Sequence, residues 1–182
     1  ERGARVVVAD ISGAQEATAS SIGEVAWPFQ CDVTQEDQVE AMIRAAIDRF
    51  GRLDAVLNVA GVSLFGMLGE LDMADYGRIL DVDLRGVVHG TKHGIRAMKD
   101  RGGGVILNWA SVAALGAKAS TAAYSAAKAG AIAITKATAV EYGRFGIRAN
   151  AILPGLFLTE AAATAPPGLI ESLTETIPAG RG

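Results

Sequence analysis

Tyr124 and Lys128 stand four residues apart, so a helix through both puts them on one face. A phenol ordinarily ionises near pH ~10, too high for acid–base work at neutral pH. An ammonium one turn away favours the phenolate. Tyr124 could then take a proton from an alcohol or return one to a ketone. Earlier in the chain, Ser111 follows the apolar run Val105-Ile106-Leu107. A hydroxyl there could hydrogen-bond a substrate oxygen and steady a developing alkoxide. Each residue also has a plain reading. Tyr and Lys at this spacing often lie on a wet helix surface, and Ser often caps a turn. The helix around Tyr124 is almost wholly small and apolar, which argues against the wet surface.

These side chains need elements to hold them, and the chain alternates strand and helix patterns. Arg5 to Ala9 is a β-branched run closed by Asp10, and residues 12–22 read as a helix. Val25 to Gln30 is a strand that Pro28 places near an edge. Thr34 and Asp37 have capping-box spacing ahead of an apolar stripe (Val39, Met42, Ile43, Ala46, Ile47, Phe50), which Gly51 stops. Ala55 to Val59 is unbroken in apolarity but for Asn58, as in a strand buried on both faces. Asp72 caps a long helix ending near Arg101, and Gly102-Gly103-Gly104 breaks the chain before a fourth strand. Residues 121–142 form an Ala-rich helix, apolar nearly all round and so buried on more than one side. Ile147 to Leu153 is a fifth strand ended by Pro154-Gly155, and a short helix follows over 168–176.

This order predicts an α/β protein: one domain over residues 1–182, with a Rossmann-like, doubly wound parallel sheet. Such sheets bind ligands beyond the carboxyl ends of their strands. The positions to watch are therefore Asp10, Cys31 to Val33, Asn58 to Gly61, Trp109 to Ser111 and Pro154 to Thr159. A carboxylate at the place of Asp10 accepts hydrogen bonds from adenosine ribose hydroxyls and repels a 2′-phosphate, which favours NAD over NADP.

Composition narrows the partners. The net charge is -3, and no Lys/Arg cluster offers a nucleic-acid footprint. Cys31 is the single cysteine, so no disulfide framework or cysteine metal cluster forms. His89 and His93 are four apart, but no HExxH context surrounds them, and they read as structural. No apolar run is long enough for a membrane span and no signal peptide is seen, so a cytoplasmic protein is expected.

Taken together, Asn58-Val59-Ala60-Gly61, the strand-end Ser111, Tyr124-Ser125-Ala126-Ala127-Lys128 and Pro154-Gly155-Leu156-Phe157-Leu158-Thr159 resemble the short-chain dehydrogenase/reductase family over essentially the whole chain. The resemblance implies Tyr124 as general acid/base and Ser111 as the oxygen-orienting partner. Lys128 would promote the Tyr124 phenolate and hold the nicotinamide ribose, with Tyr124 also at the cofactor. Asp32 with the Val33 backbone would clamp the adenine, and Asn58, Ala60 and Gly61 would line the cofactor cleft. Pro154, Gly155, Phe157 and Thr159 would position the nicotinamide. The family also commonly forms homodimers and homotetramers through its long helices. The small residues Ala122, Ala126, Ala129, Gly130 and Ala133 suit such packing.

Three departures stand out. The family's fourth catalytic residue is usually an Asn in the long helix, and that place here is Asp83, which when ionised accepts but cannot donate. The second Asn of the family's Asn-Asn-Ala-Gly is Val59. No glycine turn for the pyrophosphate precedes Asp10 at the roughly 20-residue distance such folds use. The first and last strands of the family are thus expected to be absent from these residues. An open slot is then expected between the strands at 5–9 and 55–59, unless those strands pair directly.

Around the site, Val62, Ser63, Leu64, Phe65, Leu115 and Gly116 are mostly apolar or small, which suits a hydrophobic secondary alcohol or ketone. The rival readings are an NADPH-dependent 3-oxoacyl-[carrier protein] reductase and a non-catalytic nucleotide-binding relative.

Overall fold

The computed structural model describes residues 3–157, 168–175 and 177. The elements run β1 (Val6–Asp10), α1 (Ala14–Ile22), β2 (Ala26–Gln30), α2 (Glu36–Phe50), β3 (Ala55–Asn58), α3 (Met73–Leu80), α4 (Gly86–Met98), β4 (Gly104–Trp109), α5 (Ala122–Tyr142), β5 (Ile147–Ile152) and α6 (Leu169–Glu175). A π-helical turn, Asp81–Arg85, joins α3 to α4, so the expected long helix is one run with a widened turn inside it. Asp72 caps that run, its Oδ1 accepting from Ala74 N–H at 2.7 Å.

All strand pairs are parallel, but the strands form two sheets. One pairs β1 with β2, from Val6 beside Ala26 to Asp10 beside Gln30. The other runs β3-β4-β5, with Ala55 beside Val105 and Gly104 beside Ile147. Direct pairing of β1 with β3 is not adopted. A cavity of about 890 Å³ lies there instead, lined by the β1 residues Val6 to Ala9, by Ala55 to Asn58 and by Met42, Ile43 and Ala46 of α2. Among the described residues, β1 and β3 each leave one edge of backbone N–H and C=O groups without a strand partner. Pro28 lies on β2, which among the described residues pairs with β1 alone, so the edge placement holds there.

The larger core gathers Ile43, Val56, Ile95, Met98, Ile106 and Ile147, drawn from α2, β3, α4, β4 and β5. This covers only one face of the three-stranded sheet. The pleat sends Leu57 the other way, where it is 57% exposed, so β3 is not buried on both faces as expected. An unbroken apolar run signals burial only where both faces are covered, and here one is open among the described residues.

Two local expectations are also corrected. Thr34 and Asp37 form no capping box. Gln35 is the N-cap of α2, without a side-chain cap bond, because Thr34 Oγ1 donates back to Asp32 instead. Helix α5 is not buried nearly all round. Ala123, Ala127 and Ala131 are buried, while Ala126, Ala129 and Ala133 lie on an exposed stripe. At the other end of α2 the reading holds: Gly51 has φ +79° and its N–H closes on Ile47 O.

α4 approaches the sheet closely because three glycines, each four residues from the next, leave one of its faces bare. A Cβ on Gly86 would fall 2.7 Å from Val33 Cγ2, one on Gly90 1.9 Å from Asn58 Oδ1, and one on Gly94 2.8 Å from Val56 Cγ2. This ladder escaped the sequence reading, although its four-residue spacing within a helical pattern was a signal.

Candidate active site

Lys128 and Asp83 meet in the interior. Lys128 lies on α5, whose inner face packs through Ala123 and Ala127 against Ile79 of α3. Asp83 sits at the middle of the π-helical turn, and such turns recur at functional sites. Lys128 Nζ stands 2.9 Å from Asp83 Oδ1, with the two side chains only 4% and 0% exposed. The contact is an ion pair off the hydrogen-bonding axis. The aligned hydrogen bonds go elsewhere. Lys128 Nζ donates to Trp109 O at 3.0 Å, and Val62 N–H donates to Asp83 Oδ2 at 2.9 Å. Burial pushes the Asp83 carboxyl above its ordinary range, against the pull of Lys128. Gly61 makes room for the pair, since a Cβ there would lie 2.7 Å from Asp83 Oδ1.

Tyr124 is half-buried on the same helix, its ring centroid 5.5 Å from Lys128 Nζ. The helical spacing thus brings phenol and ammonium together as the sequence implied. Ser111 stands just beyond β4 and caps the short turn Val112–Ala114, its Oγ accepting from Ala113 N–H at 3.1 Å. The cap uses one lone pair and leaves the hydroxyl proton free to be donated.

The remaining predicted residues spread along the strand ends. Asp10 Oδ1 accepts from Ser12 Oγ at 2.6 Å and from Ser12 N–H at 2.7 Å, and these bonds hold its carboxyl below the ordinary range. Asp32 Oδ1 accepts from Thr34 N–H and Oγ1, and the Val33 carbonyl accepts from His89 Nδ1 at 2.9 Å. Asn58 and Ala60 border the cavity between the sheets, yet the Asn58 amide turns inward, donating to Asn108 Oδ1 and Thr91 Oγ1. Pro154 O accepts from Val112 N–H, which ties the segment after β5 to the Ser111 turn. Gly155 and Phe157 are exposed, and Thr159 lies outside the described residues. Ser111, Tyr124 and Lys128 do not line the large cavity, so the slot between the sheets and the chemical site are separate features.

Comparisons with known proteins show the family. A family model described as enoyl-(acyl carrier protein) reductase matches residues 1–182. The chain is 37% identical over 185 residues to cis-4-hydroxycyclohexanecarboxylate dehydrogenase of Sinomonas cyclohexanicum, covering 100% of this chain and 74% of that protein. It is 35% identical over 164 residues to levodione reductase of Leifsonia aquatica, covering 86% and 61%. The crystal structure of a short chain dehydrogenase from Mycobacterium smegmatis matches with a TM-score of 0.80 at 34% identity, covering 84% of this chain and 66% of that one. This chain belongs to the short-chain dehydrogenase/reductase family.

Short-chain dehydrogenases/reductases are nicotinamide-dependent oxidoreductases, and the described residues suit such a cofactor at both ends. The Asp10 carboxylate, ionised and with Oδ2 uncommitted, fits a ribose diol. At the other end, Lys128 and Tyr124 offer a cation and a phenol beside the Ser111 turn. The pyrophosphate cradle of this family is not among the 182 residues. No helix among the described residues is long and apolar enough to cross a membrane.

Several residues that shape the site were missed in the sequence. Asn108, fully buried in β4, was hidden inside an otherwise apolar strand, where its polarity was the only signal. Glu36 accepts from both Lys92 Nζ and His93 Nε2, joining α2 to α4. The histidines are thus structural, as read: one grips Glu36 and the other the Val33 carbonyl.

Proposed function

We propose that this chain carries the catalytic side chains of an NAD-dependent dehydrogenase or ketone reductase for apolar secondary alcohols. The observation that carries the reading is the Lys128 ammonium, buried, tied to the end of β4 at Trp109 O, and 5.5 Å from the Tyr124 ring. In the oxidative direction Tyr124 takes the hydroxyl proton of the alcohol while Ser111 donates to the same oxygen and holds it in place. Lys128 supports the phenolate electrostatically and offers donors to a ribose. The bound nicotinamide supplies the hydride acceptor for the carbinol carbon. Asp83 modulates the site by drawing Lys128 inward. Asp32, the Val33 backbone, Ala60 and Gly61 would line the adenine and central cleft, and Pro154, Gly155, Phe157 and Thr159 the nicotinamide end.

Substrate class follows from the side chains near Tyr124. Val62, Leu64, Leu71 and Tyr76 pack, as Tyr124 does, against the buried cluster of Ile79, Ala123 and Ala127, while Leu115 and Phe157 stand exposed at 77% and 68%. A compact apolar ring or chain fits these surfaces better than a charged substrate. One relative above is named for a compact ring alcohol, cis-4-hydroxycyclohexanecarboxylate, whose ring is of this kind although it also bears a carboxylate. The same reading includes a cytoplasmic protein and a homodimer or homotetramer, with the exposed small-residue stripe of α5 as one contact. The test is calorimetric titration with NAD and NADP, paired with turnover of a cyclohexanol panel by the chain and its Tyr124→Phe variant. Binding that prefers NADP, or turnover that survives Tyr124→Phe, would refute it.

A further inference from the structure

Two consecutive residues of β4 each hold helix α5. Trp109 does so through its carbonyl, which accepts from Lys128 Nζ at 3.0 Å. Asn108 does so through its side chain, whose Nδ2 donates to Thr135 Oγ1 at 2.8 Å. Thr135 Oγ1 passes the chain on to Ala131 O at 2.7 Å. On its other side, Asn108 Oδ1 accepts from Asn58 Nδ2 at 2.8 Å, across the register that places Asn58 beside Asn108. Asn58 also donates to Thr91 Oγ1 at 3.3 Å, and its Oδ1 occupies the space left by Gly90. A polar bridge thus crosses the covered face of the sheet from α4 through β3 and β4 to α5. Asn108 is fully buried and Thr135 is 5% exposed.

A buried amide is costly unless its partners are met. An apolar residue at Asn108 would fill the space without that cost, so hydrophobic packing does not explain the amide. What the amide adds is direction. Thr135 lies two helical turns beyond Lys128, so the strand grips the helix at two separated points. With only one grip, α5 could slide or roll on the sheet. Apart from Lys128, the buried residues of α5 are all small (Ala123, Ser125, Ala127, Ala131, Thr135 and Thr138) and offer little shape to resist this. Ser111 stands three residues after Asn108 on the strand side, and Tyr124 belongs to the helix. The relation of Ser111 to Tyr124 is the relation of β4 to α5.

We propose that Asn108 and Thr135 are a positioning pair that sets the register of α5 on β4 and so fixes where Tyr124 stands relative to Ser111. This rests on the proposed oxidoreductase reading for its kinetic consequence, but the register itself can be measured without turnover.

The experiment compares wild type with Thr135→Val, which leaves Asn108 Nδ2 without its acceptor, and Thr135→Ser, which keeps the hydroxyl. The first readout is kcat and KM with NAD and cyclohexanol. The second is the rate at which N-acetylimidazole acetylates Tyr124 relative to Tyr142, followed by peptide mass spectrometry. Tyr142 lies on the same helix, so general loosening of the helix moves both rates. Thr135→Val should lower kcat about tenfold with KM for NAD within twofold, and change the Tyr124/Tyr142 ratio at least threefold. Thr135→Ser should match wild type in both. A Thr135→Val protein with wild-type kcat and ratio, even if it melts earlier, would overturn the proposal, as would a Thr135→Ser protein as impaired as the valine variant. If wild type turns nothing over, the oxidoreductase reading fails by itself, and the acetylation ratio alone supports or overturns the positioning pair.

Discussion

The Lys128 ammonium stands 2.9 Å from the Asp83 carboxylate, and both side chains are closed off from solvent. A lysine held this way has its charge partly spent inside the protein, and less of it reaches Tyr124. Asp83→Asn should therefore raise turnover. The same change leaves a buried ammonium without its counter-charge, which costs roughly 3–5 kcal/mol. The variant should be faster and less stable, seen as a higher kcat with a lower Tm. An unchanged or slower kcat would remove the brake assigned to Asp83.

Tyr124→Phe should abolish most turnover, by ~10²–10⁴, the usual worth of a positioned acid–base group. Calorimetric NAD affinity should fall far less, because Lys128 would still offer its donors to the ribose in the proposed site. An equal loss of binding would make Tyr124 chiefly a cofactor ligand and not the acid–base group.

Glu36 should contribute to acid stability. Its hydrogen bonds to Lys92 and then His93 hold its carboxyl down at about 2, against an ordinary 4.5. A depressed carboxyl contributes stability above the ordinary value, and that contribution is lost as pH falls through the depressed one. Thermal stability should fall between pH 4.5 and about 2, and the Glu36→Gln protein should show a flatter slope there. Equal slopes in both proteins would assign the acid sensitivity elsewhere.

Cys31 is 2% exposed, and burial raises its thiol to about 11. At pH 8 it should react with iodoacetamide far more slowly than a free thiol, and at the free-thiol rate once the protein is unfolded in urea. Fast labelling of the native protein would mean that the segment after β2 opens.

The cavity between β1 and β3 is bordered by apolar side chains and by two strand edges that have no strand partner among the described residues. A version carrying an added β-branched strand and glycine turn ahead of Glu1 should melt higher and bind NAD more tightly. Tight NAD binding by the 182-residue chain alone would mean that the pyrophosphate is held without that turn.

Much of this was legible in the residues themselves, because the physics is local. The pairing of Tyr124 with Lys128 follows from a four-residue spacing on a helix. The stop at Gly51 follows from a left-handed backbone, and the edge position of β2 from a proline that cannot donate to a ladder. The strand-end places of Asp10 and Ser111 follow from alternation of strand and helix patterns, which parallel sheets require. The family motifs could be read for the same reason: they are short runs of sequence.

The tertiary structure decided what depends on contacts between distant segments. No spacing rule ties Asp83 to Lys128, 45 residues apart, or Asn108 to Asn58 and Thr135; only the closing of the sheet against α4 and α5 aligns those polar groups. The capping box at Thr34 failed because Asp32 competed for the same hydroxyl, a contest that composition does not weigh. Strand β3 reads as doubly buried by its residues, yet burial belongs to whatever covers a face, and nothing among the described residues covers that of Leu57. Local chemistry is written in residue type and spacing, whereas burial and long-range pairing exist only once the chain has closed on itself.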